Sequence, residues 1–432
     1  MAELVVIADD LTGANDTAVQ FSKRGLSTWV QISADQENID QKSADVLVIN
    51  TDSRDLKVKE AYGKIKQLAV RLKTARTGYI YKKIDSTLRG SFGAEIAAVA
   101  DVFEPEIVVI APAYPETKRM TIGGYHFLDG LPIEMTEIAR SPKTPVHESF
   151  IPGLIEEQTG RQAAVISLTL LKRGPEIVRQ KIAEYLAAGQ NWIVFDVTEE
   201  DHFETIRQSV SQYKNILWAG SAGLANHLPL AGAWGNQELT RKKCLTGPVL
   251  VVAGSVSHKT QQQTAEAVKE QGVPLVQVDP VRLVEEQKLE IQRCVSAIQQ
   301  AVEAGKDVLL VSSLNDADVE RAVRAGRNHG MSSCEVSEYT ARSMGSIAKG
   351  LNMGKLSGLV LTGGDTAVHV LNALQARSIE ILSEVGIGIP LGELRGGCCN
   401  GMRVITKAGA FGEKNCFVQA IHAIHGEVKE VV

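Results

Sequence analysis

Nowhere in the 432 residues does an unbroken apolar run approach the ~18 residues that a membrane-spanning helix needs. Positive charge is not in excess either. Against 46 Lys and Arg stand 51 Asp and Glu, and a net charge of −5 offers no electrostatic footprint for nucleic acid. Cysteines are few and scattered, at 244, 294, 334, 398, 399 and 416, and no CxxC pair occurs. That spacing excludes a disulfide frame and a zinc ribbon, and reads as reduced thiols. Low-complexity tracts and short-period repeats are absent. The chain enters almost at once into a strand-like run, so a leader peptide is not expected. A cytoplasmic protein with small-molecule partners is therefore expected, without nucleic acid or membrane. Assembly into a homo-oligomer is left open.

What is present is a chain too long for one ordinary core, which predicts two domains. Apolar runs without polar alternation recur at Leu4–Ala8, Val46–Asn50, 106–110, 163–167, 192–196, 248–253, 307–311 and Gly358–Thr362, and read as strands buried on both faces. Helix-like stretches separate them, with Ala61, Ile65, Leu68 and Leu72 sharing one face of 57–76. The expected fold class is α/β: two domains, each a mostly parallel sheet flanked by helices, with a ligand cleft between them. Boundaries are expected at 1–232 and 247–432, joined by a linker at 233–246 where periodicity is lost. The proline-punctuated segment 111–149 reads as a long binding loop or lid.

In open α/β sheets ligands bind beyond the carboxyl ends of strands. Asp9 and Asp10 follow the first strand directly, and Asp16 lies close behind. Carboxylates so grouped repel a bare phosphate and suit the hydroxyls of a polyol or a divalent cation. Either Asp9 or Asp10 could instead cap the next helix. The run Lys82-Lys83-Ile84-Asp85-Ser86-Thr87-Leu88-Arg89 follows a further strand, and Arg54 follows another. Such a run could be a solvated face. At strand ends, its cations would grip a small carboxylate. Anion-binding and hydroxyl-binding poles together describe a site for a sugar acid. In the second half, Gly363-Gly364-Asp365-Thr366 opens a helix after a strand, where free backbone N–H groups can cradle phosphate. An ordinary turn with Asp365 or Thr366 as cap is the alternative. Gly350-Leu-Asn-Met-Gly354-Lys355 is one residue short of a P-loop and lacks its Ser or Thr, while Gly386-Ile-Gly388 lacks the third glycine of a dinucleotide fingerprint.

Four stretches taken together, 7–16 (IADDLTGAND), 83–90 (KIDSTLRG), 220–225 (GSAGLA) and 362–367 (TGGDTA), resemble the four-carbon acid sugar kinase family. The resemblance implies an N-terminal acid-sugar domain, a C-terminal nucleotide domain, and transfer of phosphate from ATP, with Mg2+, to the terminal hydroxyl of a four-carbon sugar acid. The stretch 13–17 (GANDT) and Gly123-Gly-Tyr-His126 look more like the D-threonate branch than the 3-oxo-tetronate branch. D-erythronate and 3-oxo-tetronate remain alternatives, as does a non-catalytic sensor of acid sugar and nucleotide. On this resemblance Asp9, Asp10, Arg54, Lys82, Lys83, Ile84 and Asp85 form the acid site. Asp9, Asp85 and Asp365 are the candidate catalytic carboxylates, and no metal ligand can be named. Ser255, Thr362, Gly363, Gly364, Asp365, Lys407 and Gly409 would hold the nucleotide. Residues 406–412 (TKAGAFG) depart from the Lys-Ser-Gly-Gly-Phe-Gly run expected there, adding a methyl group at Ala408 and at Ala410.

Overall fold

A computed structural model describes residues 2–34, 44–75, 78–141, 143–229 and 246–427. The linker expected at 233–246 lies, apart from its last residue, outside the described residues. Compact packing divides the chain into two units: one runs through Leu26 and resumes at Ser33, and the other takes Ser27–Ile32 together with the C-terminal half.

The strands in chain order are β1 (Leu4–Ala8), β2 (Thr28–Gln31), β3 (Val46–Asn50), β4 (Tyr79–Lys83), β5 (Ile107–Ala111), β6 (Arg119–Ile122), β7 (Tyr125–Leu128), β8 (Leu131–Pro132), β9 (Ala164–Ile166), β10 (Trp192–Phe195) and β11 (Ile216–Gly220). They continue with β12 (Val249–Ala253), β13 (Leu275–Gln277), β14 (Val308–Val311), β15 (Gly358–Thr362), β16 (Ser378–Gly386), β17 (Ile389–Arg395) and β18 (Arg403–Lys407). In the first unit the order is β3-β1-β4-β11-β5-β10-β9, all parallel. Every residue of β1, β3 and β5 is buried, as two-sided burial requires of continuous apolar runs. In the second unit β13-β14-β12-β15-β18 are parallel, and β17, β16 and β2 add an antiparallel extension. Strand β2, early in the chain, thus pairs with β16, Val30 facing Ile379. One core of this unit packs Val251, Leu309, Val360 and Ile405 against Phe417 and Ile421 of the helix Cys416–His425.

Segment 111–149 is more ordered than its prolines suggested. It carries the three-stranded antiparallel sheet β6-β7-β8, turned at Gly123 and Gly124, both with positive φ. The helix expected over 57–76 spans Val58–Thr74 and buries Ala61, Ile65, Leu68 and Leu72.

Strand order fixes where each unit opens. From β1 the chain passes to β3 on one side and then to β4 on the other, so the order reverses at β1. From β12 it passes to β13 and β14 on one side and to β15 on the other, reversing at β12. Crevices form at the carboxyl ends of such reversal points. The residues just beyond β1 and β12 are Asp9-Asp10 and Gly254-Ser255.

Candidate functional site

In the first unit, parallel register sets Ile7 of β1 beside Ile49 of β3 and Lys82 of β4. The residues beyond these strands therefore converge. Arg54 is their hub: Nε donates to Asp9 Oδ2 at 2.7 Å, and Nη2 donates to Asp9 Oδ1 at 3.0 Å and Asp10 Oδ1 at 2.6 Å, with Asp85 Oδ1 at 3.5 Å. Asp10 also caps the helix Leu11–Ser22, accepting from the Gly13 N–H at 2.9 Å. The capping and site readings of Asp10 are thus compatible. Gly13 has a steric reason to lack a side chain: a Cβ there would lie 2.6 Å from Asp10 Oδ1 and 3.0 Å from Lys83 Nζ.

Asp85 accepts from Arg89 Nε at 2.8 Å, Arg89 Nη2 at 3.1 Å and the Thr87 hydroxyl at 2.5 Å. Burial works against its charge, but Arg89 and Arg54 hold its carboxyl well below the usual range. Asp9 behaves alike, since Arg54 offsets its burial and keeps its carboxyl low. Both are poor proton acceptors.

Lys82 and Lys83 part company, because neighbouring residues of a strand face opposite sides. Lys82 is fully buried, and its ammonium serves Glu95 Oε2 at 2.7 Å, the Ile7 carbonyl at 3.2 Å and the Lys83 carbonyl at 2.7 Å. Glu95 also accepts from Ser53 at 2.6 Å. With every proton engaged inside the protein, Lys82 is placed to brace β4 instead of gripping a ligand. Lys83, also buried, donates only to the Ile84 carbonyl, at 2.8 Å, among the described residues. Its two remaining protons have no protein acceptor there. Ile84 is buried, and its N–H donates to Gly220 at 2.8 Å, tying the turn after β4 to β11. His126 of β7 holds the same turn: its Nε2 lies 2.9 Å from the Ser86 carbonyl and its Nδ1 3.0 Å from the Thr121 hydroxyl. Because a carbonyl only accepts, Nε2 carries the proton. Burial pushes this imidazole down to about 4.

The second unit gathers Ser255, Thr362, Gly363, Gly364, Asp365, Lys407 and Gly409 at the ends of β12, β15 and β18. Gly363 has φ +97° and precedes the helix Gly364–Ala373, where its lack of a side chain leaves the N-terminal end of the helix dipole uncapped by its N-cap residue and suited to an anion. A Cβ at Gly254 would collide with the Thr366 hydroxyl, and one at Gly409 with the Ser255 hydroxyl. The Gly409 carbonyl accepts from Ser257 at 2.8 Å and Thr260 at 3.1 Å, and Gln263 clamps the Phe411, Gly412 and Glu413 carbonyls at 2.9–3.1 Å. That clamp holds the 408–413 turn despite the methyl groups of Ala408 and Ala410. Lys407 donates to Thr362 Oγ1 at 3.2 Å, and burial pushes its ammonium down to about 8. An anion would be its missing counter-charge.

The sequence left several residues unassigned. Arg89 and Thr87 lie inside a stretch already singled out, while Glu95 is the lone charge in the helix Phe92–Phe103 before Asp101. A charge in such a setting is a usable warning of a buried partner. Gly254, Ser257, Thr260 and Gln263 became legible only once the strand ends were brought together.

The chain matches the sugar-binding N-terminal domain over residues 4–228 and the nucleotide-binding C-terminal domain over 250–417. It is 34% identical over 428 residues to a D-threonate kinase of Salmonella typhimurium, covering 98% of each chain. To a D-threonate kinase of Bordetella bronchiseptica it is 33% identical, covering 97% of this chain and 96% of that one. To a D-erythronate kinase of Heliobacterium modesticaldum it is 30% identical, covering 96% and 95%. A crystal structure from Salmonella typhimurium described as a putative tRNA synthase shares the fold, with a TM-score of 0.80 at 23% identity, covering 97% and 99%. With both domains matched in order over nearly the whole chain, this protein belongs to the four-carbon acid sugar kinase family.

Proposed function

We propose that this protein transfers the γ-phosphoryl group of ATP to the terminal, 4-hydroxyl group of a four-carbon sugar acid, with D-threonate the preferred acceptor. The observation that carries the reading is the pairing of Lys83, a buried ammonium with one acceptor among the described residues, with a carboxylate cluster held by Arg54. Lys83 and Arg89 supply the pole for the acid's carboxylate, while Lys82 braces the strand behind them. Asp10 and Asp85 supply acceptors for hydroxyls, and Asp9 anchors Arg54. A site that hydrogen-bonds a given hydroxyl rejects the wrong isomer strongly, because a buried group is then left unpaired.

Ser255, Thr362, Gly363, Gly364, Asp365, Lys407 and Gly409 hold the nucleotide in this reading, with phosphate at the helix N-terminus. Among the described residues no group of three or more His, Cys, Asp or Glu could hold a metal ion alone. Mg2+, which commonly uses few protein ligands plus substrate phosphates, would accordingly enter on ATP and neutralise charge there. No helix among the described residues is long and apolar enough to cross a membrane, and the cytoplasm is the proposed location.

D-erythronate is the second reading, favoured by the similarity to the Heliobacterium kinase. ADP release measured with each acid separately, at saturating ATP and magnesium, tests both. Greater kcat/KM with D-threonate supports the first, and greater kcat/KM with D-erythronate replaces it with the second. Binding of acid and ATP without turnover would favour a sensor.

A further inference from the structure

We infer that Asp10, and neither Asp9 nor Asp85, is the general base that takes the proton of the acceptor hydroxyl. This rests on the kinase reading above. A base must meet the ligand with an oxygen that no cation already holds, since a bound guanidinium lowers its proton affinity. Asp9 has one oxygen on Arg54 Nε and the other on Arg54 Nη2. Asp85 has both oxygens on Arg89, and the Thr87 hydroxyl and the Arg89 backbone N–H add two further donors. Asp10 differs. Its Oδ1 takes the Gly13 N–H and Arg54 Nη2, and its Oδ2 has no hydrogen-bond partner among the described residues. Two donors on Oδ1 hold the carboxylate still, so the free oxygen is a fixed one. Its side chain is also the most open of the three, 19% exposed against 6% for Asp9 and 9% for Asp85.

The surrounding charges are consistent with that role. Asp10 faces Asp9 beside it on the β1 end, Arg54 beyond β3, and Lys83 and Asp85 of β4 and its turn. Burial raises its carboxyl, Arg54 and Lys83 pull it down, and Asp9 and Asp85 push it up, leaving it raised from its ordinary value. The arginine-locked neighbours move the opposite way. Proton affinity and the open oxygen thus coincide on one residue. In the step assigned to it, the acceptor hydroxyl oxygen forms a bond to the γ-phosphorus of ATP. The bond from γ-phosphorus to the bridging oxygen breaks, its electron pair leaves on ADP, and the hydroxyl proton passes to Asp10 Oδ2 and then to water.

The test compares full-length wild type, Asp10→Asn and Asp10→Glu in ADP-release assays with D-threonate, ATP and magnesium from pH 5 to 9, with D-threonate Kd measured by calorimetry. Asn keeps an oxygen for Gly13 and Arg54 but removes the base. Expected is a loss of kcat of roughly 10²–10⁴-fold, the range usual for acid–base catalysis. D-threonate Kd should stay within about fivefold, and the acidic limb of the kcat profile should disappear. Asp10→Glu should keep a limb, displaced in pH, at reduced kcat. A kcat within tenfold of wild type for Asp10→Asn, or a loss confined to Kd, overturns the assignment. If Asp10→Asn does not fold, wild-type kcat and pH profile in Asp10→Glu overturn it instead. A wild type that releases no ADP with D-threonate, D-erythronate or 3-oxo-tetronate defeats the kinase reading itself, and the base with it.

Discussion

Replacing Gly13 by alanine sets folding against binding at one atom. In the first turn of a helix, Gly→Ala ordinarily stabilises, by up to about 1 kcal/mol. Here the new Cβ would stand 2.6 Å from Asp10 Oδ1 and 3.0 Å from Lys83 Nζ, the first closer than real Cβ contacts come. Asp10 must move, which costs its cap, typically about 1 kcal/mol. The two folding terms nearly cancel, so the melting temperature should change little. Binding has no such offset. Displacing Asp10 and Lys83 weakens charged hydrogen bonds to the acid, each worth about 1.5–3 kcal/mol. At 1.4 kcal/mol per decade, kcat/KM for the acid should fall roughly tenfold to a hundredfold. KM for ATP, whose proposed contacts lie in the other unit, should stay within about twofold. Initial ADP-release rates with each substrate varied in turn measure both. A folded Gly13→Ala protein with wild-type kcat/KM for the acid would refute the placement of the acid site at this helix start.

Three further outcomes follow from the same geometry. Glu95→Gln removes the counter-charge of the fully buried Lys82, so urea unfolding should reveal a loss of about 3 kcal/mol, most of it recovered in Glu95→Gln/Lys82→Met; an unchanged midpoint in the single variant would contradict the pair. Gly409→Ala drives a Cβ into the Ser255 hydroxyl and should raise the Kd for ADP about tenfold without altering affinity for the acid, measured by calorimetry. Lys407, held down to about 8 by burial, is mostly neutral at pH 9, and a bound phosphate would restore its proton. ATP binding at pH 9 should therefore take up a substantial fraction of a proton, seen as an enthalpy that varies with the buffer's ionisation enthalpy. No buffer dependence would place Lys407 away from the phosphates. The sign for stability follows too: its folded value lies below the unfolded one, so its burial penalty is constant below about 8 and is relieved as pH rises toward the ordinary lysine value.

Most parallel strands were legible because two-sided burial leaves a continuous apolar run, as in Val46–Asn50 and Val249–Ala253, whereas the parallel strands β11 and β13 were not read from the sequence. The antiparallel strands were not. Strand β17 interrupts its apolar residues with Pro390, Gly392 and a buried Glu393, and β16 carries a buried Glu384, so neither resembles a core strand by composition. Strand β2 finds its partner, β16, more than 300 residues along the chain, and no local pattern announces that. Within the acid site, the residue types and their strand-end positions were readable, but the division of labour was not. Lys82 and Lys83 are equivalent on paper, and only the approach of Glu95 from the helix Phe92–Phe103 decides which is tied down. The same holds for the three carboxylates. Arg54 and Arg89, set by long-range packing, determine which of them keeps a free oxygen.

ADP release by the purified, folded protein is the direct test of whether a sugar acid is phosphorylated by ATP here. With ATP and magnesium held constant, acid-dependent release is expected to be greatest for D-threonate, with phosphate recovered on the acid's 4-hydroxyl. The absence of acid-dependent release across D-threonate, D-erythronate and 3-oxo-tetronate would contradict it.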